Sequence, residues 1–174
     1  MSDHAGADPP VRPASTEEFA LLPAVEEAAD RLFAEAGLGP LPPVAESADF
    51  PAALAVLVVG DPPVGFARLD LVDGAAHLEQ LSVHPDHGRR GIGAELLAAA
   101  CRWAADHGHD AMTLCTFADV PWNGPFYARH GFTPLAEPAL TPGLRDLRGR
   151  EVGLGLDALG RRIVMRRLLA GPRR

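Results

Sequence analysis

A glycine-containing turn between an apolar strand and a helix carries the residues best suited to chemistry. Gly91 and Gly93 stand where a side chain would keep a ligand away from the first backbone N–H groups of the helix. These unpaired donors and the positive end of the helix dipole together suit an anion. Arg89 and Arg90 in the same turn add two positive charges that match phosphate geometry. The turn therefore predicts a binding site for a pyrophosphate.

The spacing of the glycines excludes the two commonest phosphate loops. A mononucleotide P-loop ends in Gly-Lys-Ser/Thr, and this chain contains no lysine. A dinucleotide fingerprint has the order G-x-G-x-x-G, whereas Gly88, Gly91 and Gly93 give G-x-x-G-x-G. That order, behind a strand that ends at Val83, resembles motif A of the GNAT superfamily of acetyl-CoA-dependent N-acetyltransferases.

The match to motif A has one departure. The family pattern is Gln or Arg, two residues, Gly, one residue, then Gly or Ala. Gly91 and Gly93 fit it, but Gly88 stands at the Gln/Arg position and the nearest arginine is Arg89. The departure matters little if main-chain amides hold the pyrophosphate, and more if that side chain does.

A second segment, WNGPFYARHGF at residues 122–132, resembles motif B of the same family. By this resemblance, Asn123 aligns with the residue that usually holds the pantetheine arm of the coenzyme. Tyr127 aligns with the tyrosine that usually stands beside the coenzyme sulfur. The resemblance covers residues 50–170 well and the first 50 residues only loosely.

The resemblance implies acetyl-CoA as cosubstrate and no metal. The main chain of Leu81, Ser82 and Val83 would pair with pantetheine like an extra strand and direct an N–H at the thioester oxygen. The residues implied to bind the pyrophosphate, mainly through backbone amides, are Gly88, Arg89, Arg90, Gly91, Ile92, Gly93 and Ala94. The alternative for the glycines is a tight strand-to-helix turn without a ligand.

Acetyl transfer to an amine needs a base for the amine proton, and Glu79 is our candidate. Family members often have a carboxylate here that takes the proton, commonly through water. Period-2 alternation places Glu79 on one strand face with His77, Leu81 and Val83. The alternative is a solvated or purely structural carboxylate. His77 is the second candidate base, or else a packed or surface histidine, and His84 is expected to shape the turn.

Tyr127 is the candidate acid for the departing thiolate, because a phenol with a pKa near 10 is protonated at neutral pH. Its alternative role is an aromatic side chain that fills the wedge between the strands.

Asn123 is a candidate pantetheine contact and also a candidate helix N-cap. Cys101 and Cys115 show no metal or redox spacing, and we expect both to be buried core thiols.

The function that these residues predict is N-acetyl transfer from acetyl-CoA directly to a primary amine through a ternary complex, without a covalent enzyme intermediate. The acceptor is left open between a small amine, an aminoacyl compound and a peptide amine. The alternative is a non-catalytic GNAT-like module that binds or senses acyl-CoA, which a plugged acceptor side would favour. Glu26, Glu27 and Asp30 either meet a cationic acceptor or form a solvated helix face. Dimers are common among proteins of the family that the sequence resembles, and the oligomeric state is left open.

The composition fits one acidic globular domain. The chain has 174 residues, 47% of them hydrophobic, and a formal net charge of −7, which argues against a nucleic-acid partner. Its longest apolar run, residues 52–59, is too short to cross a bilayer, and no signal peptide is visible, so we expect a cytoplasmic protein. We expect disorder in residues 1–10, a single domain over 11–170 and a basic tail at 171–174. The C-terminal arginines are expected to lie on a solvated edge strand and tail.

Periodicity and turn chemistry predict the elements that position these residues. Predicted strands cover 11–14, 53–59, 64–72, 75–83, 111–117, 132–135 and 162–169. Predicted helices cover 16–36, 91–107 and 124–130, with a further one suggested at 144–151. This order predicts an α/β fold of α+β type. The resemblance adds a twisted, mixed, mostly antiparallel sheet splayed between its fourth and fifth strands, with helices on both faces.

Overall fold

Seven strands form one sheet in the computed structural model, which describes residues 9–171. The strands are β1 (Arg12–Pro13), β2 (Ala55–Val59), β3 (Gly65–Val72), β4 (Ala75–Val83), β5 (Ala111–Phe117), β6 (Thr133–Pro134) and β7 (Arg162–Leu168). Their order across the sheet is β1-β2-β3-β4-β5-β7-β6. All neighbouring pairs are antiparallel except β4 and β5, which run parallel.

Helices cover both faces of the sheet, as the sequence predicts. They are α1 (Leu22–Glu35), α2 (Ile92–Asp106), α3 (Gly124–Arg129), α4 (Pro142–Gly153) and α5 (Leu156–Leu159). On one face, Leu22 and Val25 of α1 pack with Phe66 of β3. On the other face, Leu96 of α2 packs with Ala67, the next residue of β3. Alternate residues of one strand thus supply two cores.

The parallel pair β4 and β5 separates along its length. Paired residues are Ala76 with Met112, His77 with Thr113 and Leu78 with Leu114, and the ladder ends there. Residues 79–83 of β4 and 115–117 of β5 continue without pairing to each other, and we call this opening the β4–β5 gap. The predicted splay between the fourth and fifth strands is therefore present.

A β-bulge changes the predicted faces of β4. Arg68 of β3 pairs with Gln80 but the next residue, Leu69, pairs with Leu78, so Glu79 is the extra residue. After the bulge, Leu81 and Val83 pack against the α2 core. The prediction that they share a face with His77 and Glu79 is wrong, because strict alternation ends where an extra residue enters the strand.

The residues of the turn predicted local structure more reliably than the period-2 alternation of the strand did. Asp73 and Gly74 both have positive φ, +50° and +80°, the geometry that the predicted two-residue hairpin between β3 and β4 requires. The predicted edge strand at the C-terminus is wrong, since β7 lies between β5 and β6. Residues 1–8 and 172–174, with Arg173 and Arg174, lie outside the described residues, so the predicted disorder and tail are not tested there.

No helix among residues 9–171 is long and apolar enough to cross a membrane.

Candidate active site

The N-terminus of α2 opens beside the β4–β5 gap. Gly91 is the N-cap residue and has a φ of +79°, a left-handed conformation that favours glycine. The helix geometry leaves the N–H groups of Ile92, Gly93 and Ala94 without an intrahelical acceptor. A Cβ on Gly91 would meet nothing within 4 Å. The first turn therefore presents bare donors to open space, which suits an anionic group.

The walls of this turn come from two other elements. A Cβ on Gly93 would lie 3.9 Å from the side chains of Val83, at the end of β4, and Phe126, in α3. The end of β4, the start of α2 and α3 thus meet at Gly93. This meeting point brings the two sequence motifs together, as the resemblance implies.

The turn before α2 is built by its own polar groups. The Asp86 N–H donates to Nδ1 of His84 at 3.2 Å, so His84 shapes the turn as expected. The Gly88 N–H donates to the Pro85 carbonyl at 3.0 Å and is committed to the turn. Arg89 has a φ of +61°, and it and Arg90 are exposed at the mouth.

The β4 edge that faces the gap carries the predicted pantetheine segment. Leu81, Ser82 and Val83 pair with β3 on one side, while the ladder to β5 has already ended. The Ser82 hydroxyl is turned toward the other strand face, where Gln80 donates to it at 2.8 Å. An extended ligand could therefore pair with this backbone as an added strand.

Glu79 faces a cavity on the α1 side of the sheet. The cavity has a volume of about 230 Å³ and is lined by Glu26, Pro43, Ala45, Phe50, Phe66, Arg68, Glu79 and Gln80. We call it the Glu79 cavity. The Glu79 side chain is 44% exposed, yet its position among these walls raises the pKa of its carboxyl, and Asp70 adds to the effect. A carboxylate with a raised pKa is suited to accept a proton near neutral pH.

His77 is packed inside the sheet. It is 1% exposed, and its Nδ1 lies 2.8 Å from the Thr113 hydroxyl of β5. Burial lowers the pKa of His77 to about 4, so the ring is neutral at pH 7. Its Nε2 lies 3.7 Å from Glu79. The geometry favours the packed alternative, in which His77 hydrogen-bonds across the β4–β5 pair near the closed end of the gap.

Tyr127 lies in α3 within the core on the α2 side of the sheet. Its ring packs against Phe126 and Phe132, with centroids 5.2 and 5.8 Å away, and the residue is 9% exposed. Burial raises the pKa of the phenol, so the group stays protonated at neutral pH. Tyr127 is therefore a packed core aromatic residue that stays protonated, and its role as the acid stays a prediction.

Asn123 is the N-cap residue of α3 by position, but its side chain makes no cap hydrogen bond. The helix instead packs tightly on the end of β5, where a Cβ on Gly124 would lie 2.4 Å from the Ala118 carbonyl oxygen. Only glycine fits that position. The capping alternative for the Asn123 side chain is therefore not realised.

Glu26 and Arg162, for which a solvated surface position was one expectation, are largely buried in the fold. Glu26 is 9% exposed because the loop that contains Pro43 and Ala45 covers it, so it is not on a solvated face. Arg162 is not solvated either, since its side chain is 10% exposed and pairs with the buried Glu151 of α4. Both burials depend on segments distant in sequence, and no local pattern signals them.

Neither cysteine is placed as a nucleophile. Cys101 is buried and Cys115 partly buried. Burial raises the pKa of both thiols, that of Cys115 to about 12. Both therefore stay protonated at neutral pH, and an unreactive thiol is what the sequence predicts.

A mixed sheet that splits between its fourth and fifth strands, with a helix N-terminus at the opening, is the architecture that the resemblance implies. The model of the family described as Acetyltransferase (GNAT) family matches residues 21–132, which is more than half of the chain. The chain belongs to this family.

Solved structures share the fold at low sequence identity. PaiA N-acetyltransferase from Thermoplasma acidophilum, in complex with coenzyme A, has a TM-score of 0.63 and 16% identity, over 91% of this chain and 97% of that one. N-acetylglutamate synthase from Neisseria gonorrhoeae, complexed with coenzyme A and N-acetyl-glutamate, has a TM-score of 0.66 and 21% identity. That match covers 95% of this chain and 36% of the other.

Curated relatives match over shorter regions. An uncharacterized N-acetyltransferase, YjcF of Bacillus subtilis, is 33% identical over 82 residues, which are 47% of this chain and 56% of the relative. A mycothiol acetyltransferase of Clavibacter sepedonicus is 38% identical over 72 residues, 41% of this chain and 24% of the relative. The chain thus matches about half or less of the length of these relatives.

Proposed function

We propose that this protein is an N-acetyltransferase that moves the acetyl group of acetyl-CoA directly to a primary amine within a ternary complex. One observation carries the proposal: Glu79 faces an open cavity from the strand whose other residues border the β4–β5 gap. A donor in the gap and an acceptor in the cavity would meet at this strand. The family membership and the coenzyme A complexes of structural neighbours support the choice of donor.

The described residues fit the coenzyme. The bare amides of Ile92, Gly93 and Ala94 and the exposed Arg89 and Arg90 would hold the pyrophosphate. The open space in front of Gly91 is the cradle that a side chain would fill. In this proposal Gly88 contributes turn geometry, because its amide already has an acceptor.

The remaining coenzyme contacts belong to the arm. The backbone of Leu81, Ser82 and Val83 would pair with pantetheine, and Asn123 would hold it from the other side of the gap. The side chain of Asn123 is not used to cap α3, which supports this role.

When bound, acetyl-CoA supplies a thioester whose acyl group is already activated. The amine nitrogen forms a bond to the carbonyl carbon as the carbon–sulfur bond breaks. Glu79 takes the proton of the amine, directly or through water, and Tyr127 gives its proton to the leaving sulfur. Proton exchange with solvent then returns Glu79 to its carboxylate and Tyr127 to its phenol. The products are the acetylamide and CoA thiol, and no cysteine nucleophile is required.

The open Glu79 cavity also bears on the alternative of a non-catalytic acyl-CoA-binding module. Such a module would be favoured by a plugged acceptor side. Within the described residues, the space beside Glu79 is about 230 Å³. That space favours the enzyme.

Calorimetric titration with acetyl-CoA, and separately with CoA and NADH, tests the proposal. We expect acetyl-CoA and CoA to bind with micromolar affinity, and NADH not to bind, because the glycine spacing does not match a dinucleotide site. Thiol release with a panel of primary amines would then measure turnover. If acetyl-CoA did not bind, the glycine turn would have only a structural role, and the proposal would be overturned.

A further inference from the structure

A buried carboxylate with one unpaired oxygen lies in the same cavity as the proposed base. Glu26 is on the inner face of α1 and is 9% exposed. Its Oε2 is buried and has no hydrogen-bond partner among the described residues. Buried carboxylates are nearly always paired, because an isolated charge in the interior is costly. The Ala45 backbone hydrogen-bonds to the Glu26 carboxylate, but Oε2 has no partner, and an unpaired buried oxygen that lines a cavity points to a ligand that completes it.

The charges around this cavity favour a cation. Arg68 is the one basic residue among those that line it, and its guanidinium donates to both oxygens of Asp70 at 3.0 and 3.1 Å. Arg68 also lowers the pKa values of Glu26 and Glu79 by its charge, but this effect is smaller than that of burial, and both pKa values remain raised. Burial raises the pKa of Glu26 to about 7, and the nearby Asp30 adds to the rise. A bound cation would lower this pKa and relieve the cost of the buried charge.

The remaining walls restrict the size and polarity of the ligand. Phe50 and Phe66 form an apolar part of the lining and are themselves almost wholly buried, 1% and 0% exposed. A volume of about 230 Å³ lies below the range of roughly 300–1,000 Å³ typical of pockets for drug-sized ligands. The cavity therefore suits a short aliphatic chain with a cationic group at its end.

We propose that Glu26 binds a second, non-reacting cationic group of the acceptor, so that the acceptor class is a short diamine. The reacting amine would lie at Glu79 while the distal ammonium pairs with Glu26, and the methylenes between them would lie against Phe50 and Phe66. This inference rests on the proposed function, and it adds a substrate class and a specificity-determining residue to it.

The test compares 1,4-diaminobutane with butylamine, which has the same chain length but lacks the second ammonium. We expect a higher kcat/KM for the diamine. Glu26→Gln should reduce kcat/KM for the diamine by about 10- to 100-fold, the usual effect of removing one charged hydrogen-bond partner, and leave butylamine unchanged. Glu27→Gln, at the exposed neighbouring position, is the matched control and should leave both amines unchanged.

A binding measurement separates this inference from the proposed function. Calorimetric titration of 1,4-diaminobutane into the protein alone should give a heat that Glu26→Gln abolishes and Glu27→Gln retains. Equal diamine binding in the Glu26→Gln variant, or equal kcat/KM, would overturn the inference while acetylation of butylamine still supports the enzyme. Failure to bind acetyl-CoA, with Glu26-dependent diamine binding intact, would overturn the proposed function alone.

Discussion

Glu79 reaches its position through an irregularity of one strand. The extra residue in β4 lets both Glu79 and Gln80 line the same cavity, although they are neighbours in sequence. In a regular strand one of them would point to the α2 core. Bulges commonly re-aim a side chain beside an active site, and this one presents the candidate base to the acceptor side of the sheet.

The first residue-scale prediction concerns Glu79. Glu79→Gln removes the proton acceptor but keeps the shape of the side chain, so turnover should fall roughly 10²- to 10⁴-fold. Acetyl-CoA affinity should not change, because the proposed coenzyme contacts lie in the gap and at α2. Steady-state kinetics and calorimetry measure the two effects, and Glu35→Gln at the exposed end of α1 is the control.

The pH dependence gives an independent reading of the same variant. A base must be ionised, so kcat/KM of the wild-type protein should fall as the pH decreases through the pKa of Glu79. Because that pKa is raised, the fall should occur at a higher pH than for an ordinary carboxylate. The Gln variant should lack this limb. If the pH–rate profile of the Glu79→Gln variant were identical to that of the wild type, Glu79 would not be the base.

The sequence was most informative at the scale of elements with a local signature. The hairpin at Asp73 and Gly74 and the turn at Gly91 follow from residues that tolerate positive φ. The faces of β4 could not be predicted, because a bulge depends on the register with β3. The burial of Glu26 could not be predicted either, since the loop that covers it is remote from α1 in sequence. The motifs therefore predicted the family and the turn before α2, whereas the Glu79 cavity could not be predicted.

The turn before α2 carries the prediction for the coenzyme site. Gly91→Glu places a carboxylate where the pyrophosphate is expected, so acetyl-CoA should no longer bind. Gly108→Glu is the matched control: it lies past the other end of α2, has a φ of +85°, and a Cβ there also meets nothing within 4 Å.

Both glycine substitutions force a side chain into the left-handed region, at a cost of about 1–2 kcal/mol each. Thermal unfolding should therefore show a lower Tm for both variants. Calorimetry should show lost acetyl-CoA binding only for Gly91→Glu. Retained affinity in that variant would mean that the α2 N-terminus does not hold the pyrophosphate.

At the scale of the whole molecule, the two sides of the sheet have opposite electrostatic tasks. The mouth of the gap has Arg89 and Arg90, which suit the proposed anionic donor, and the Glu79 cavity has Glu26 and Glu79, which suit the proposed cationic acceptor. The net charge of −7 favours the approach of the amine over that of the coenzyme. The local arginines and helix dipole are thus needed to offset the field of the rest of the protein.

The pH dependence of the free energy of unfolding reports on His77, which sits where the gap closes. Its pKa is lowered from 6.5 to about 4 by burial, so the unfolded chain binds a proton that the folded protein does not. The stability that the protein gains by keeping His77 neutral is fully present above pH 6.5. About 3 kcal/mol of it is lost as the pH falls toward 4. Glu26 and Asp30, whose pKa values are raised to about 7 and about 6, act in the opposite direction.

A difference measurement isolates the histidine from these carboxylates. His77→Gln has no titrating ring but can still reach the Thr113 hydroxyl, so its stability relative to the wild type should improve steadily between pH 6.5 and pH 4. Chemical denaturation at a series of pH values measures this difference, with His107→Gln at an exposed position as control. A constant difference across that range would show that His77 is protonated equally in the folded and unfolded states, and that the closed end of the gap admits charge.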